Sequence, residues 1–243
     1  MARLIVWLPL LLKRLDTGLS QSQILNSLKE ATALDQAREF CLDLWPFIKD
    51  LPGNIALVKD ALPEGDSAAH SLLTELVDEE YFYQSLFVKQ CLLVGNSAND
   101  LEAPSTNPAA EELRRLMKEL CCSADYADGV LAIITAELAA TAVARKIAPF
   151  YEEYFRDKAT SDTQKQVDEG MEWLRLHARP QTRNALLLNR AIATLEHANS
   201  GSIPYSVEIM LDAIFRLWRC PSQGVVDTDL GARRQQASDL ARA

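Results

Sequence analysis

The stretch Val130-Leu-Ala-Ile-Ile-Thr-Ala-Glu-Leu-Ala-Ala-Thr-Ala-Val-Ala144 decides the fold class and supplies the first functional clue. It is rich in strong helix formers and contains neither Gly nor Pro, which predicts a long helix. Glu137 is its only charged residue, and the residues three or four positions away are apolar apart from Thr141. A carboxylate on such a face points into the interior, where it requires a cation, a hydrogen-bond partner or a proton. Glu137 is therefore either a functional acid or a rim residue whose carboxylate reaches water.

The overall composition is that of an ordinary soluble protein. The chain has 243 residues, of which 48% are hydrophobic and 24% are charged, so it is long enough to bury a substantial core. Long segments with helical periodicity dominate, and strand-type alternation around an Asn-Gly or Asp-Gly turn is absent. We therefore predict an all-α fold.

The charge balance argues against nucleic-acid binding. Acidic residues outnumber basic ones by 34 to 25, which gives a formal net charge of -9. Such a surface repels phosphate backbones, and no cluster of Lys or Arg compensates for it. The five cysteines form an odd set without the spacing of a metal site, so a reduced compartment accounts for them most simply. We therefore predict a cytoplasmic protein.

The N-terminal segment has an apolar stretch from Leu4 to Leu12, followed by Lys13 and Arg14. This stretch is too short to span a bilayer, which takes about 20 apolar residues, and no small-residue cleavage site follows it. We therefore predict no integral membrane segment here. We expect an amphipathic helix from about Leu4 to Leu15 that is broken at Thr17-Gly18 and packs on the domain or on a second subunit. Contact of this helix with a membrane surface is the alternative.

Turn-forming residues divide the rest of the chain. Pro52-Gly53 predicts a break that is followed by a short helix from Asn54 to Leu62. No segment has the length and composition of a linker between two domains. We expect an N-terminal helix and connection in residues 1–30, one helical domain in residues 31–220 and a flexible tail in residues 221–243.

A second inward carboxylate is predicted on the helix from about Ala68 to Val94. Projection at about 100° per residue gives a stripe that is apolar except at Glu80 and Gln84; its other members are Leu73, Leu76, Val77, Phe87, Val88 and Cys91. Two carboxylates that point inward from separate helices can share a proton, share a cation or bridge metal ions. The alternative is an ion pair between Glu80 and an Arg or Lys of a neighbouring helix.

Of the three histidines, His177 has neighbours at helical spacing that can act with it. His177, Gln181 and Asn184 stand at positions i, i+4 and i+7, so a continuous helix would place three hydrogen-bonding side chains on one face. Pro180 opposes this arrangement because it lacks a backbone donor and disfavours helical geometry at Arg179. A kink or a new helix at Pro180 would spread the three side chains apart.

Four segments of the chain carry a resemblance to known proteins: Trp45-Pro-Phe-Ile-Lys-Asp-Leu-Pro-Gly-Asn-Ile-Ala-Leu-Val58, Leu72-Leu-Thr-Glu-Leu-Val-Asp-Glu-Glu80, Ala136-Glu-Leu-Ala139 and Trp173-Leu-Arg-Leu-His177. Together they resemble the haem-oxygenase-like superfamily. The similar branch contains CADD-like proteins, haem-oxygenase-like di-iron oxidases, pyrroloquinoline-quinone synthase and TenA-type thiaminases. The resemblance covers about residues 30–220 and implies a single-domain bundle of about seven core helices plus an extra N-terminal helix. It also implies a homodimer.

The resemblance implies a site for two irons, but the ligand set in this chain is incomplete. The two carboxylates fall on Glu80 and Glu137 and one histidine falls on His177, whereas the Asp and His that follow it fall on Gln181 and Asn184. Neutral amides are weak iron ligands. We therefore expect at most one weakly held Fe or Mn ion, and neither haem nor a nucleotide as cofactor.

Other branches of the superfamily use no metal. Glu79-Glu-Tyr-Phe-Tyr-Gln84 resembles the thiaminase segment in which an acid binds a basic heterocycle and a Tyr orients it, which implies these roles for Glu80 and Tyr83. The Cys nucleophile of thiaminases has no counterpart between Asp125 and Phe155, and no His precedes His70 to bind haem. Thiamine hydrolysis and haem breakdown are therefore disfavoured.

Three functions remain open from the sequence. The first is an enzyme acting on a small organic metabolite in an interior pocket, either an oxidoreductase of the di-iron oxidase type or an acid–base catalyst. Glu80, Glu137 and Tyr83 would be its catalytic residues, and Glu80, Glu137 and His177 would bind the metal. The second function is non-catalytic binding of an aromatic or heterocyclic ligand in the same pocket. The third is a structural role in which the inward polar groups only satisfy one another.

Overall fold

The computed structural model describes residues 7–27, 33–156, 163–179 and 203–219, together with Lys158 and Thr160. All regular secondary structure in these residues is helical, which confirms the all-α prediction. The helices are α1 (Leu8–Gln21), α2 (Gln23–Ser27), α3 (Ala33–Asp60), α4 (Ser67–Leu93), α5 (Ala98–Glu102), α6 (Pro108–Cys121), α7 (Tyr126–Arg156), α8 (Gln164–Ala178) and α9 (Tyr205–Leu217).

Six of these helices form the body of the bundle. α4 packs against α3 and α8, whereas α6 packs against α3, α7 and α9. α7 also packs against α8 and α9. The pair α4 and α8 therefore lies on one side of the bundle, the pair α6 and α9 lies on the other, and α3 and α7 contact both pairs.

Helix α7 is the central helix of this arrangement. Its 31 residues are apolar enough to cross a membrane by length and composition, but 78% of its apolar window is buried inside the fold. It contains 18 buried residues, among them Glu137. Such burial is typical of the core helix of a soluble protein.

Helix α3 corrects the predicted break at Pro52-Gly53, because it continues through both residues to Asp60. Pro52 has no N–H to donate to the carbonyl of Ile48, four residues earlier. The side-chain amide of Gln84 supplies that donor instead, with Nε2 lying 3.0 Å from the Ile48 oxygen and 2.7 Å from the Lys49 oxygen. The inward polar position of Gln84 on α4 is therefore explained by the proline in the neighbouring helix.

Helix α1 corrects the predicted break at Thr17-Gly18. It continues to Gln21, and Gly18 is buried against the ring of Phe215, where a Cβ atom would collide with the ring. The glycine therefore permits close approach of α1 to α9 and does not end the helix. The apolar face of α1 packs on the domain itself, since its buried residues belong to the main core: Trp7, Leu11, Leu15 and Leu19.

The predicted division at residues 30 and 220 stays a prediction. The tail 221–243 and the connection around residue 30 lie outside the described residues.

Candidate functional site

A cavity of about 60 Å³ lies in the middle of the bundle and is lined by residues of α3, α4, α6, α7, α8 and α9. Its charged or ionisable lining residues are Glu80 from α4, Glu137 from α7 and His177 from α8. The rest of the lining is almost entirely hydrocarbon or aromatic, and includes Phe40, Phe47, Leu113, Val143, Trp173 and Leu217. The structure therefore brings together three of the residues that the sequence singled out.

The carboxyl groups of Glu80 and Glu137 form a hydrogen-bonded pair. Only 2% of Glu80 and 4% of Glu137 is exposed. Burial, followed by the negative charge of Glu137 and the hydrogen bond between the two carboxyl groups, raises the pKa of Glu80 well above its usual value of 4.5. Two carboxylates can hydrogen-bond only when one of them carries a proton, so the pair holds a proton near neutral pH.

One oxygen of Glu80 has no donor within the described part of the chain. Its Oε1 atom is fully buried and lacks a hydrogen-bond partner there. Of the ion pairs among the described residues, none includes Glu80. A buried acceptor without a donor costs free energy, which a ligand that brings an N–H group would recover.

The imidazole of His177 is held in one tautomer by Trp173. Its Nδ1 atom lies 2.9 Å from the Trp173 carbonyl, and its ring stacks on the indole with centroids 4.1 Å apart. Because a carbonyl only accepts, Nδ1 carries the proton and Nε2 carries the lone pair. Burial lowers the pKa of His177 to about 4, against a weaker opposing effect of this hydrogen bond. His177 is therefore neutral at pH values near 7 and can accept a proton at Nε2.

Tyr83 and Trp173 complete the surroundings of this histidine. Tyr83 is half-buried on α4, and its ring contacts that of His177 edge-on with centroids 4.9 Å apart. Trp173 lines the cavity and stacks on His177, which the sequence interpretation did not predict, although its spacing of four residues before His177 was a visible signal. Phe87 supports Trp173 from α4 at a centroid distance of 5.1 Å.

Of the two possibilities that the sequence left open at Pro180, the structure shows that the helix carrying His177 does not continue through the proline. α8 ends at Ala178, and the next residue, Arg179, has an extended backbone with ψ of 149°. Pro180 is the cause, since the residue before a proline is driven from helical to extended geometry. Gln181 and Asn184 lie outside the described residues, so their predicted role as weak metal ligands stays a prediction.

The described residues do not by themselves form a metal site. Two carboxyl groups and a neutral imidazole are suitable iron donors, and a backbone carbonyl behind the imidazole is a common supporting contact. Within the described ranges, however, no three His, Cys, Asp or Glu side chains lie close enough together to hold one ion.

Comparison with known proteins identifies the fold. No family model and no curated protein matches the sequence. The chain is similar to the crystal structure of a TenA homolog from Pseudomonas syringae pv. tomato str. DC3000, with a TM-score of 0.69 and 14% identity over 88% of this chain and 91% of that chain.

It is also similar to a domain of unknown function with a haem oxygenase-like fold from Shewanella denitrificans OS217. Here the TM-score is 0.55 and the identity 14%, over 87% of this chain and 88% of that chain. At such identities a structural match establishes the fold and leaves the activity to be argued from the site. The protein thus has an all-α, haem-oxygenase-like fold.

Proposed function

We propose that the protein binds a small organic base in the central cavity and performs acid–base chemistry on it with Glu80, Glu137 and His177. The observation that carries this proposal is the buried carboxyl pair, which holds a proton beside a neutral imidazole in one apolar cavity. The pKa of Glu80 is raised and that of His177 is lowered, so burial favours the neutral form of both groups. Titratable groups with pKa values shifted in this way are typical of acid–base sites.

The hydrogen-bonding capacity of the cavity favours a ligand that donates. Glu80 Oε1 is a buried acceptor without a partner among the described residues, and His177 Nε2 presents a lone pair. A ligand with several N–H groups satisfies such acceptors, whereas a carboxylate or phosphate would add further acceptors and negative charge. The resemblance of the segment around Glu80 to the base-binding segment of thiaminases supports the same ligand class.

The three groups suit proton transfer in two directions. The carboxyl pair holds a proton that it can give to a bound ligand, and His177 can take one because its imidazole is neutral. The Trp173 carbonyl keeps the His177 lone pair on Nε2, and the ring of Tyr83 restricts the tilt of the imidazole. The apolar remainder of the cavity excludes water, which strengthens each of these interactions.

Oxidative chemistry at iron stays a prediction. The resemblance assigns Glu80, Glu137 and His177 as ligands of an Fe or Mn ion that would supply dioxygen activation. In the described structure these three side chains do not lie close enough together to hold one ion, so such a site would need them to move or to be completed by other residues. Metal analysis of protein purified without chelator and then supplied with Fe(II) tests it. A stoichiometric, tightly held ion supports the oxidoreductase, and a content far below stoichiometry removes it.

Non-catalytic binding is the second candidate function. It is favoured by the amides Gln181 and Asn184, which stand where the resemblance implies an Asp and a His. Under this alternative the ligand binds the same carboxyl pair but is released unchanged.

Calorimetric titration with imidazole, aminopyrimidine and propylamine tests the binding proposal. We expect at least one of these bases to bind, and we expect Glu80→Gln to weaken its binding by about tenfold or more, because a hydrogen bond to a charged group contributes about 1.5–3 kcal/mol. Asp78→Asn is the matched control, since Asp78 is an exposed carboxylate on the same helix. Equal affinities for wild type and Glu80→Gln would overturn the proposal.

Hydrogen exchange in D₂O separates the enzyme from the binding protein. Acid–base chemistry predicts that the protein accelerates deuterium incorporation at an acidic C–H of a bound base, such as C2 of imidazole, and that His177→Gln removes this acceleration while binding persists. Binding without exchange for every bound compound would leave the non-catalytic function.

A further inference from the structure

We propose that the ligand is a short aliphatic amine, whose ammonium group faces Glu80 and His177 while its hydrocarbon end points between α6 and α9. In this arrangement Ala139 and Val143 of α7 limit the length of the hydrocarbon end. This inference rests on the proposed function, because it names the substrate class of the same cavity.

The cavity crosses the bundle from one helix pair to the other. Its lining comes from α4 and α8, which pack against each other, and from α6 and α9, which do the same. α3 and α7 contact both pairs and form the walls between them. The two ends of the cavity are therefore defined by different helices, and a bound molecule would extend from one pair toward the other.

The two ends differ in chemistry. The α4 and α8 end carries Glu80 and His177, and Glu137 of α7 is hydrogen-bonded to Glu80. The α6 and α9 end is hydrocarbon and aromatic, with Leu113, Ile214, Leu217 and Trp218. A ligand that matches both ends has one polar group and one apolar group. An unsubstituted heterocycle lacks the apolar group.

The polar end matches an ammonium group. A protonated primary amine has three N–H donors and no acceptor, so it suits Glu80 Oε1 and His177 Nε2, which both accept. Its positive charge would also stabilise an ionised carboxylate in the Glu80–Glu137 pair. A fatty acid would place a third carboxyl group beside the pair, and an alcohol would supply one donor and no charge.

The small size of the cavity restricts the hydrocarbon end. Its volume of about 60 Å³ is less than half that of the engineered cavity of about 150 Å³ that binds benzene. α7 contributes Ala136, Ala139, Ala140 and Val143 to the lining, so most of the space on this wall exists because the side chains are short. One added or removed methyl group on this wall therefore changes the available length.

Calorimetric titration of the full chain with straight-chain primary amines from ethylamine to octylamine tests the proposal. We expect affinity to rise by about fourfold for each added methylene, up to a maximum, and then to fall. Ala139→Val should move the maximum to a shorter amine, and Val143→Ala should move it to a longer one. Ala142→Val is the control, since Ala142 is on α7 outside the cavity lining and should leave the maximum unchanged.

The outcomes separate this inference from the proposed function. One outcome is that the amines bind and Glu80→Gln lowers the affinity for all of them, but neither Ala139→Val nor Val143→Ala changes which amine binds most tightly. This outcome overturns the length limit, and the proposed function stands. Binding of aminopyrimidine but of no alkylamine would overturn the aliphatic class alone. Tighter binding of the matching fatty acids would overturn both proposals.

Discussion

Two threonines six positions apart on α7 mark two regions with different properties. Thr135 lies in the close-packed region from Gly129 to Thr135, and its hydroxyl donates to the Leu131 carbonyl at 2.7 Å. Thr141 lies in the cavity region from Ala136 to Val143, and its buried hydroxyl has no partner within the described part of the chain. A threonine hydroxyl thus has a hydrogen-bond partner in the close-packed region and has none among the described residues in the cavity region.

Small residues also have different consequences in the two regions. At Gly129 an added Cβ would lie 2.5 Å from a methyl group of Val58 and 3.1 Å from the Cα atom of Cys121. At Ala136, Ala139 and Ala140 the short side chains border the cavity. We therefore expect the free energy of unfolding to depend on side-chain volume in the close-packed region, and on the charge of the ionisable side chains in and around the cavity region.

The largest expected effect concerns the charge of His177. Above its ordinary pKa of 6.5 the imidazole is neutral in both the folded and the unfolded chain. As pH falls from 6.5 to about 4, His177 takes up a proton in the unfolded chain but stays neutral in the folded chain. The folded state therefore loses stability relative to the unfolded state. This loss is on the order of 3 kcal/mol, because each pKa unit corresponds to about 1.4 kcal/mol.

Urea unfolding of wild type and His177→Gln across this pH range measures that loss. The free energy of unfolding of the wild type should fall relative to that of the variant as the pH is lowered. Gly129→Ala serves as the control from the close-packed region and should keep the wild-type pH dependence. Parallel curves for wild type and His177→Gln would contradict the assignment of His177 as a buried neutral base.

The next effect concerns volume in the close-packed region. Gly129→Ala should lower the free energy of unfolding by about 1–2 kcal/mol, because overpacking costs more than the helix propensity of Ala returns. Gly53→Ala is the matched control: Gly53 also lies inside a helix, but outside its own stretch of helix backbone nothing lies within 4 Å of an added Cβ. We expect Gly53→Ala to stabilise the protein by about 0.5–1 kcal/mol. Equal changes in the free energy of unfolding for the two variants would contradict the close packing inferred around Gly129.

A smaller effect is expected for Glu80→Gln. Because the pKa of Glu80 is raised above 4.5, its contribution to stability is fully present below pH 4.5 and is lost as pH rises toward the raised value. Gln cannot ionise, so the variant should be about 1 kcal/mol more stable than the wild type at about pH 8, and the gap should close near pH 4.

Asp78→Asn removes an exposed carboxylate from the same helix and should change stability by less than about 0.5 kcal/mol. Chemical denaturation at both pH values measures the gap for each variant. A Glu80→Gln variant that is less stable at every pH would indicate an ion pair with a cation, which is the alternative that the sequence left open.

Local pattern predicted the parts of this molecule that depend on one helix at a time. Glu80 and Glu137 stand on apolar stripes of their own helices, so periodicity alone placed both carboxylates inside. The effect of Pro180 on Arg179 is equally local, and the end of α8 at Ala178 follows from it.

The errors arose where a neighbouring helix decides the outcome. Pro52 should end a helix, but the amide of Gln84, 35 or 36 positions away from the two carbonyls it binds, replaces the missing donor. Gly18 should also end a helix, but Phe215 requires a residue without a Cβ atom there. Neither partner can be found by reading outward from the proline or the glycine, because the pairing exists only after the helices have packed.

The smallest expected effect is that of Ala139→Val in the cavity region, and the same substitution in the close-packed region of α7 is its comparison. Ala139→Val adds two methyl groups beside the cavity and should change the free energy of unfolding by less than about 0.5 kcal/mol, since burial of the added methyl groups offsets the lower helix propensity of Val. Ala132→Val adds the same groups in the close-packed region, at a residue that is fully buried and outside the cavity lining. It should cost about 1–3 kcal/mol. The helix-propensity penalty of Val is the same at both sites. The difference between the two variants in the free energy of unfolding, measured in urea, therefore reports the space available at each site. Equal costs would mean that the cavity wall is as tightly packed as the close-packed region of α7.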